Sequence, residues 1–160
     1  MEKESKAFHK MKKIIVDTNI IFSCLLNSQG IIGDLIFNSD TVFEFYSNQY
    51  MRIEIRRHWN KLKKISKLTD TELETAYDKM LTKFIFINEE LIPQKHWEKA
   101  ESLLIHIDLD DTDFVALSTY LKGSLWTGDK SLYEGLKTKR FHSVYNTQDL
   151  LKLRNKLTTL

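Results

Sequence analysis

Short runs of β-branched and aromatic residues recur along this chain between longer amphipathic stretches, and that alternation limits the fold more than any other feature. Lys13-Ile14-Ile15-Val16 closes on Asp17 and reads as a buried strand, because its apolar character is unbroken. Thr41–Ser47 (TVFEFYS), Phe84–Ile87, Ser124–Trp126 and His142–Tyr145 repeat the pattern. Helices are expected from Asn19 to Leu26 and from Ile31 to Phe37, broken around Ser28-Gln29-Gly30. A longer one should run from Gln49 to about Lys64, with Met51, Ile55, Trp59 and Leu62 on one face. Thr69-x-x-Glu72 forms a capping box for the next, and Pro93 suits the start of another. A helix after Asp110-Asp111 turns Phe114, Leu117 and Leu121 inward and stops at Gly123. A small helix from Ser131 to Lys137 and a last one from Thr147 complete the series. Strands alternating with helices specify a parallel sheet covered on both faces. There is no repeat or Pro/Gly linker, so residues 13–160 read as one α/β domain behind a frayed basic tail over 1–12.

Composition removes several function classes. The formal net charge is only +2, so a nucleic-acid surface has to be a local patch. The single cysteine, Cys24, cannot form an internal disulfide or a thiolate zinc site, which fits a reducing, cytoplasmic compartment. No apolar run approaches the ~20 residues that span a bilayer, and no membrane association is expected. Glycine is too scattered for a phosphate-cradling loop, so nucleotide-triphosphate and dinucleotide sites are not expected. His58, His96, His106 and His142 lack an i, i+4 partner suited to zinc.

The acidic residues are more informative. In parallel α/β sheets, sites form outside the carboxyl ends of the strands. Asp17 directly follows the first strand, and Asp129 lies just beyond Ser124-Leu125-Trp126, in Thr127-Gly128-Asp129. Asp111 falls at a helix start, where the dipole favours a carboxylate. Glu54 lies at the margin of the apolar face of its helix, one residue ahead of Ile55. Carboxylates crowded together repel, and a divalent cation relieves that repulsion. Hard oxygen ligands suit magnesium or manganese, ions that assist phosphodiester hydrolysis. Each acid also has a structural reading: Asp110 or Asp111 as a helix cap, Asp129 as a turn residue, Glu54 paired with Arg57 or His58.

The wording of the motifs separates these readings. Val16-Asp17-Thr18-Asn19-Ile20, Arg52-Ile53-Glu54-Ile55 with His58, Asp111-Thr112-Asp113-Phe114-Val115-Ala116-Leu117, and Leu125-Trp126-Thr127-Gly128-Asp129-Lys130 resemble the PIN-domain nucleases. The match runs in order from about Lys13 to Leu151. The resemblance implies a three-layer α/β/α sandwich and a metal-dependent ribonuclease. Asp17, Glu54, Asp111 and Asp129 would be its catalytic and metal-binding acids, with Asn19, Thr127 and Asp113 supporting them. Asp111 is preferred in a crowded run because it lies three residues before Phe114; Glu44 competes with Glu54. Many small members are toxins of VapBC-type toxin–antitoxin pairs, and others stand alone.

The implied partners are RNA, with DNA as a further possibility, an antitoxin protein, and a second copy in a homodimer. Arg56 and Arg57, in a basic stretch from Arg52 to Lys67, and Lys130, beside Asp129, are candidate substrate contacts. A binding module without turnover and a small phosphoester hydrolase are the remaining alternatives.

Overall fold

The computed structural model describes residues 10–159. The tail expected over 1–12 lies outside the described residues as far as residue 9, and the first strand begins at Lys12. Five strands pair in parallel in the order β3-β2-β1-β4-β5. They are β1 (Lys12–Val16), β2 (Phe43–Asn48), β3 (Phe84–Ile87), β4 (Ser124–Trp126) and β5 (Val144–Tyr145). The connecting helices are α1 (Thr18–Leu26), α2 (Ile31–Phe37), α3 (Tyr50–Arg57), α4 (Trp59–Ser66) and α5 (Asp70–Leu81). They are followed by α6 (Gln94–Leu104), α7 (Thr112–Leu121), α8 (Lys130–Thr138) and α9 (Thr147–Thr158). Single 3₁₀ turns occupy Glu89–Leu91 and Leu109–Asp111.

Strand alternation divides the core into two layers. Ile14, Val16, Phe45 and Trp126 turn to one face and pack with Ile20, Ile21, Leu35, Ile36, Met51, Ile55, Leu73 and Leu150. Ile15, Tyr46, Leu125 and Val144 turn to the other and pack with Ala100, Leu104, Val115, Leu117, Leu132 and Leu136. The result is the three-layer α/β/α sandwich, because a central strand buried on both sides must be apolar at every position.

The helix expected from Gln49 to about Lys64 is two helices. His58 leaves helical geometry (φ −104°, ψ 17°), and its N–H donates to the carbonyls of Glu54 and Ile55. The apolar stripe is continuous in sequence, and on both sides of the bend it packs against α1. Met51 and Ile55 from α3 and Leu62 from α4 are buried in the same core layer. Gly33 marks a close approach: a Cβ there would lie 2.0 Å from the Ser28 carbonyl oxygen. Among the described residues, no single helix is long and apolar enough to cross a membrane.

Candidate metal centre and acidic cleft

The carboxyl ends of β1 and β4 lie side by side, since Val16 is in register with Trp126. The chain leaves both strands straight into helices, and in both cases an aspartate caps the helix. Asp17 Oδ1 accepts from the Ile20 N–H at 3.0 Å, and Asp129 Oδ1 accepts from the Leu132 N–H at 3.1 Å. Capping fixes each carboxylate at a helix N-terminus, where the dipole favours negative charge. Thr127, fully buried between them, accepts from the Asp129 N–H at 3.0 Å through its hydroxyl oxygen and donates its proton toward Asp17. One threonine therefore ties both strand-end acids together.

Asp111 ends a 3₁₀ turn and precedes α7, but its side chain makes no capping hydrogen bond. The turn is capped by Asp108, whose Oδ1 accepts from the Asp110 N–H at 2.9 Å. Glu54 reaches in from α3, with the Thr18 hydroxyl donating to its Oε1 at 3.4 Å. Asp113 is held by Asn48, whose Nδ2 donates to Oδ2 at 2.6 Å. Together Asp17, Glu54, Asp108, Asp110, Asp111, Asp113 and Asp129 line one cleft of about 450 Å³, and among the described residues no lysine or arginine lies in its walls.

Electrostatics follow from this crowding. Burial first, then the charges of Asp17, Asp108, Asp129 and Asp113, pushes the Asp111 carboxyl up to about 7. Burial raises Asp113 to about 6, with Glu54 adding to the shift and hydrogen bonds from Phe114 and Asn48 opposing it. Asp17 is also raised, by burial, against hydrogen bonds from Thr127, Ile20 and Asn19. These groups hold uncompensated negative charge, the condition a divalent cation relieves. As they stand, no three acids among the described residues are close enough to form a ligand set, so closing on an ion requires them to draw in. The donors are all hard carboxylate oxygens, which fit magnesium or manganese and exclude a thiolate or imidazole site. Cys24 is no competitor, because burial pushes its thiol up to about 12.

A family model of the PIN domain matches residues 15–154, a span that includes every acid of the cleft. The chain belongs to the PIN-domain family. Among solved structures, it is similar to the crystal structure of VapBC2 from Rickettsia felis bound to a DNA fragment from their promoter. That likeness has a TM-score of 0.60 and 14% identity, over 84% of this chain and 98% of the other. No curated protein matches the chain.

Within this PIN fold, Asp17, Glu54, Asp111, Asp113 and Asp129 share the cleft with the exposed Asn19. Glu44 does not: it stands on β2 beside Lys13 and lines a separate depression with Asp40 and Lys83. Lys130 is exposed as the first residue of α8, next to Asp129. The basic helix face divides. Arg56 is held by Glu74 through two hydrogen bonds, at 2.6 and 3.0 Å, and lies over the rings of Trp59 and Tyr77. It is absent from the cleft walls and forms a cross-helix clamp between α3 and α5. Arg57 instead bonds to Tyr50, which does line the cleft. Sequence reasoning missed Asn48, which is 1% exposed and also accepts from the Met51 N–H at 2.9 Å. Its signal in the sequence is positional, because Asn48 ends β2 as Asp17 follows β1.

Proposed function

We propose that the protein is a divalent-metal-dependent endonuclease that hydrolyses RNA phosphodiesters in the acidic cleft. The observation that carries this reading is the cleft itself: seven carboxylates and no basic side chain, at the carboxyl ends of adjacent parallel strands. Magnesium or manganese, when bound, supplies Lewis acidity toward a phosphodiester and its attacking water. Asp17 and Asp129, fixed by their helix caps and by Thr127, would hold the ion from one side. Asp111, free of capping duty, and Glu54, on α3, would complete the set. Asp111 and Glu54 would otherwise orient the attacking water. Asp113, pinned by Asn48, would orient the shell from behind. Lys130, exposed on α8, and Arg57, exposed on α3, would meet the phosphate backbone.

Cleavage of RNA and DNA by the purified protein, titrated with manganese, tests this reading. Asp129→Asn retains a capping side chain, so the fold should persist by circular dichroism. Its manganese-dependent cleavage should fall by at least ~100-fold, the scale of removing a metal's charge stabilisation. Undiminished cleavage by the variant would refute the assignment. A toxin role, silenced by an antitoxin, is a second reading, favoured by the likeness in fold to a chain of the Rickettsia VapBC2 complex. A small co-transcribed partner that co-purifies and suppresses cleavage would support it.

A further inference from the structure

One lip of the acidic cleft carries an aromatic surface that hydrolysis by itself does not need. Tyr50 opens α3 and lines the cleft with Glu54, while the residue remains 40% exposed. Phe114, the other aromatic residue of the cleft wall, is buried in the core and cannot receive a ligand. Tyr50, Glu54 and Arg57 stand at i, i+4 and i+7, so they form one stripe of helix face. Four residues of helix rise about 6 Å, close enough for one nucleotide to reach both the ring and the carboxylates.

The ring is exposed but not loose. Arg57 Nη1 donates to the Tyr50 hydroxyl at 2.6 Å, and its guanidinium carbon lies 5.5 Å from the ring centroid. At the other end of the residue, the Tyr50 N–H donates to Glu89 Oε1 at 2.8 Å. The other arginine–aromatic contacts of this region are different in kind. Arg56 covers Trp59 and Tyr77, and Arg52 lies 3.9 Å from the Phe86 ring centroid; none of these residues lines the cleft.

We propose that Tyr50, held in place by Arg57, is a base-stacking platform that receives an unpaired nucleobase beside the phosphate in the acidic cleft. The inference rests on the nuclease reading and names the substrate class of the same site. Stacking accepts any base, because every base has a π face, so this subsite selects strandedness rather than sequence. A duplex keeps its bases stacked inside the helix and cannot offer one to the ring, whereas loops, bulges and single strands can. The guanidinium beside the ring adds an always-charged contact for a flanking phosphate.

The test is equilibrium binding of a short single-stranded oligoribonucleotide and of a version with one abasic position, followed by fluorescence anisotropy in calcium. The abasic position is moved along the oligonucleotide to find the nucleotide that meets the ring. Tyr50→Ala should weaken binding of the complete oligonucleotide about 5- to 150-fold, the range spanned by base–aromatic stacking. Tyr50→Phe keeps the ring and should stay within about twofold of wild type. Wild type should lose a similar factor on the best-placed abasic oligonucleotide, and Tyr50→Ala should lose nothing further there. Equal weakening by Tyr50→Ala on complete and abasic strands, or no weakening, overturns the platform; so does a protein that binds no oligonucleotide. Manganese-dependent cleavage by wild type, run in parallel, separates the two readings. Cleavage without the stacking signature removes the platform alone, and the signature without cleavage removes the nuclease alone.

Discussion

Replacing Asp111 by asparagine should stabilise the metal-free protein above neutral pH, the reverse of what most substitutions do. Burial and four neighbouring acids raise this carboxyl from 3.8 to about 7. In the unfolded chain the group ionises near its ordinary value, so across that interval the folded protein keeps a proton that the unfolded chain has released. Stability therefore falls as pH rises through the interval, and the whole penalty is present above about 7. At ~1.4 kcal/mol per pH unit the upper limit is about 4 kcal/mol, which partial exposure to water reduces to about 1–2 kcal/mol. Asp111→Asn removes the charge while making no change to a cap, because this side chain caps nothing. At ~2–4 °C per kcal/mol for a domain of this size, the variant should melt about 3–6 °C above wild type in EDTA at about pH 8. Below about pH 4 the two should converge in Tm, because the wild-type carboxyl is then protonated in both the folded and the unfolded chain. Added magnesium should narrow the difference at high pH by neutralising the cleft. A variant less stable than wild type at high pH in EDTA, or equal pH slopes for the two proteins, would refute the reasoning.

Two further substitutions separate support of the site from support of the fold. Asn48→Ala removes both the hydrogen bond to Asp113 and the acceptor for the Met51 N–H, and should cost about 1–2 kcal/mol in urea unfolding while lowering cleavage. Arg56→Ala should lower the urea midpoint, by about 1 kcal/mol in stability, with cleavage kept near wild type, since its partners Glu74, Trp59 and Tyr77 lie outside the cleft. A large loss of cleavage with unchanged stability would return Arg56 to the substrate path.

Much of this molecule was legible in its sequence for a local reason. A strand buried on both faces must be apolar throughout, so β1 and its parallel partners stand out, and the switch to helical periodicity places the crossovers between them. Parallel order then puts every strand's carboxyl end at one edge, so Asp17 and Asp129 could be placed together from sequence position alone. The resemblance to PIN nucleases carried Glu54 and Asp111, which no local rule brings to that edge. What only the tertiary structure decided depends on pairs of residues distant in the chain. The bend at His58 divides one continuous apolar stripe into two helices that both pack against α1, and no residue of the stripe announces it. Arg56 and Arg57 are adjacent and chemically identical, yet one is clamped by Glu74 and the other held by Tyr50 at the cleft. Asp111 and Asp129 are both acids next to a helix start; only the fold makes Asp129 a cap and leaves Asp111 uncapped among like charges. The sequence determines which chemistry is available at the sheet edge, and the three-dimensional neighbours of each side chain determine which residue performs it.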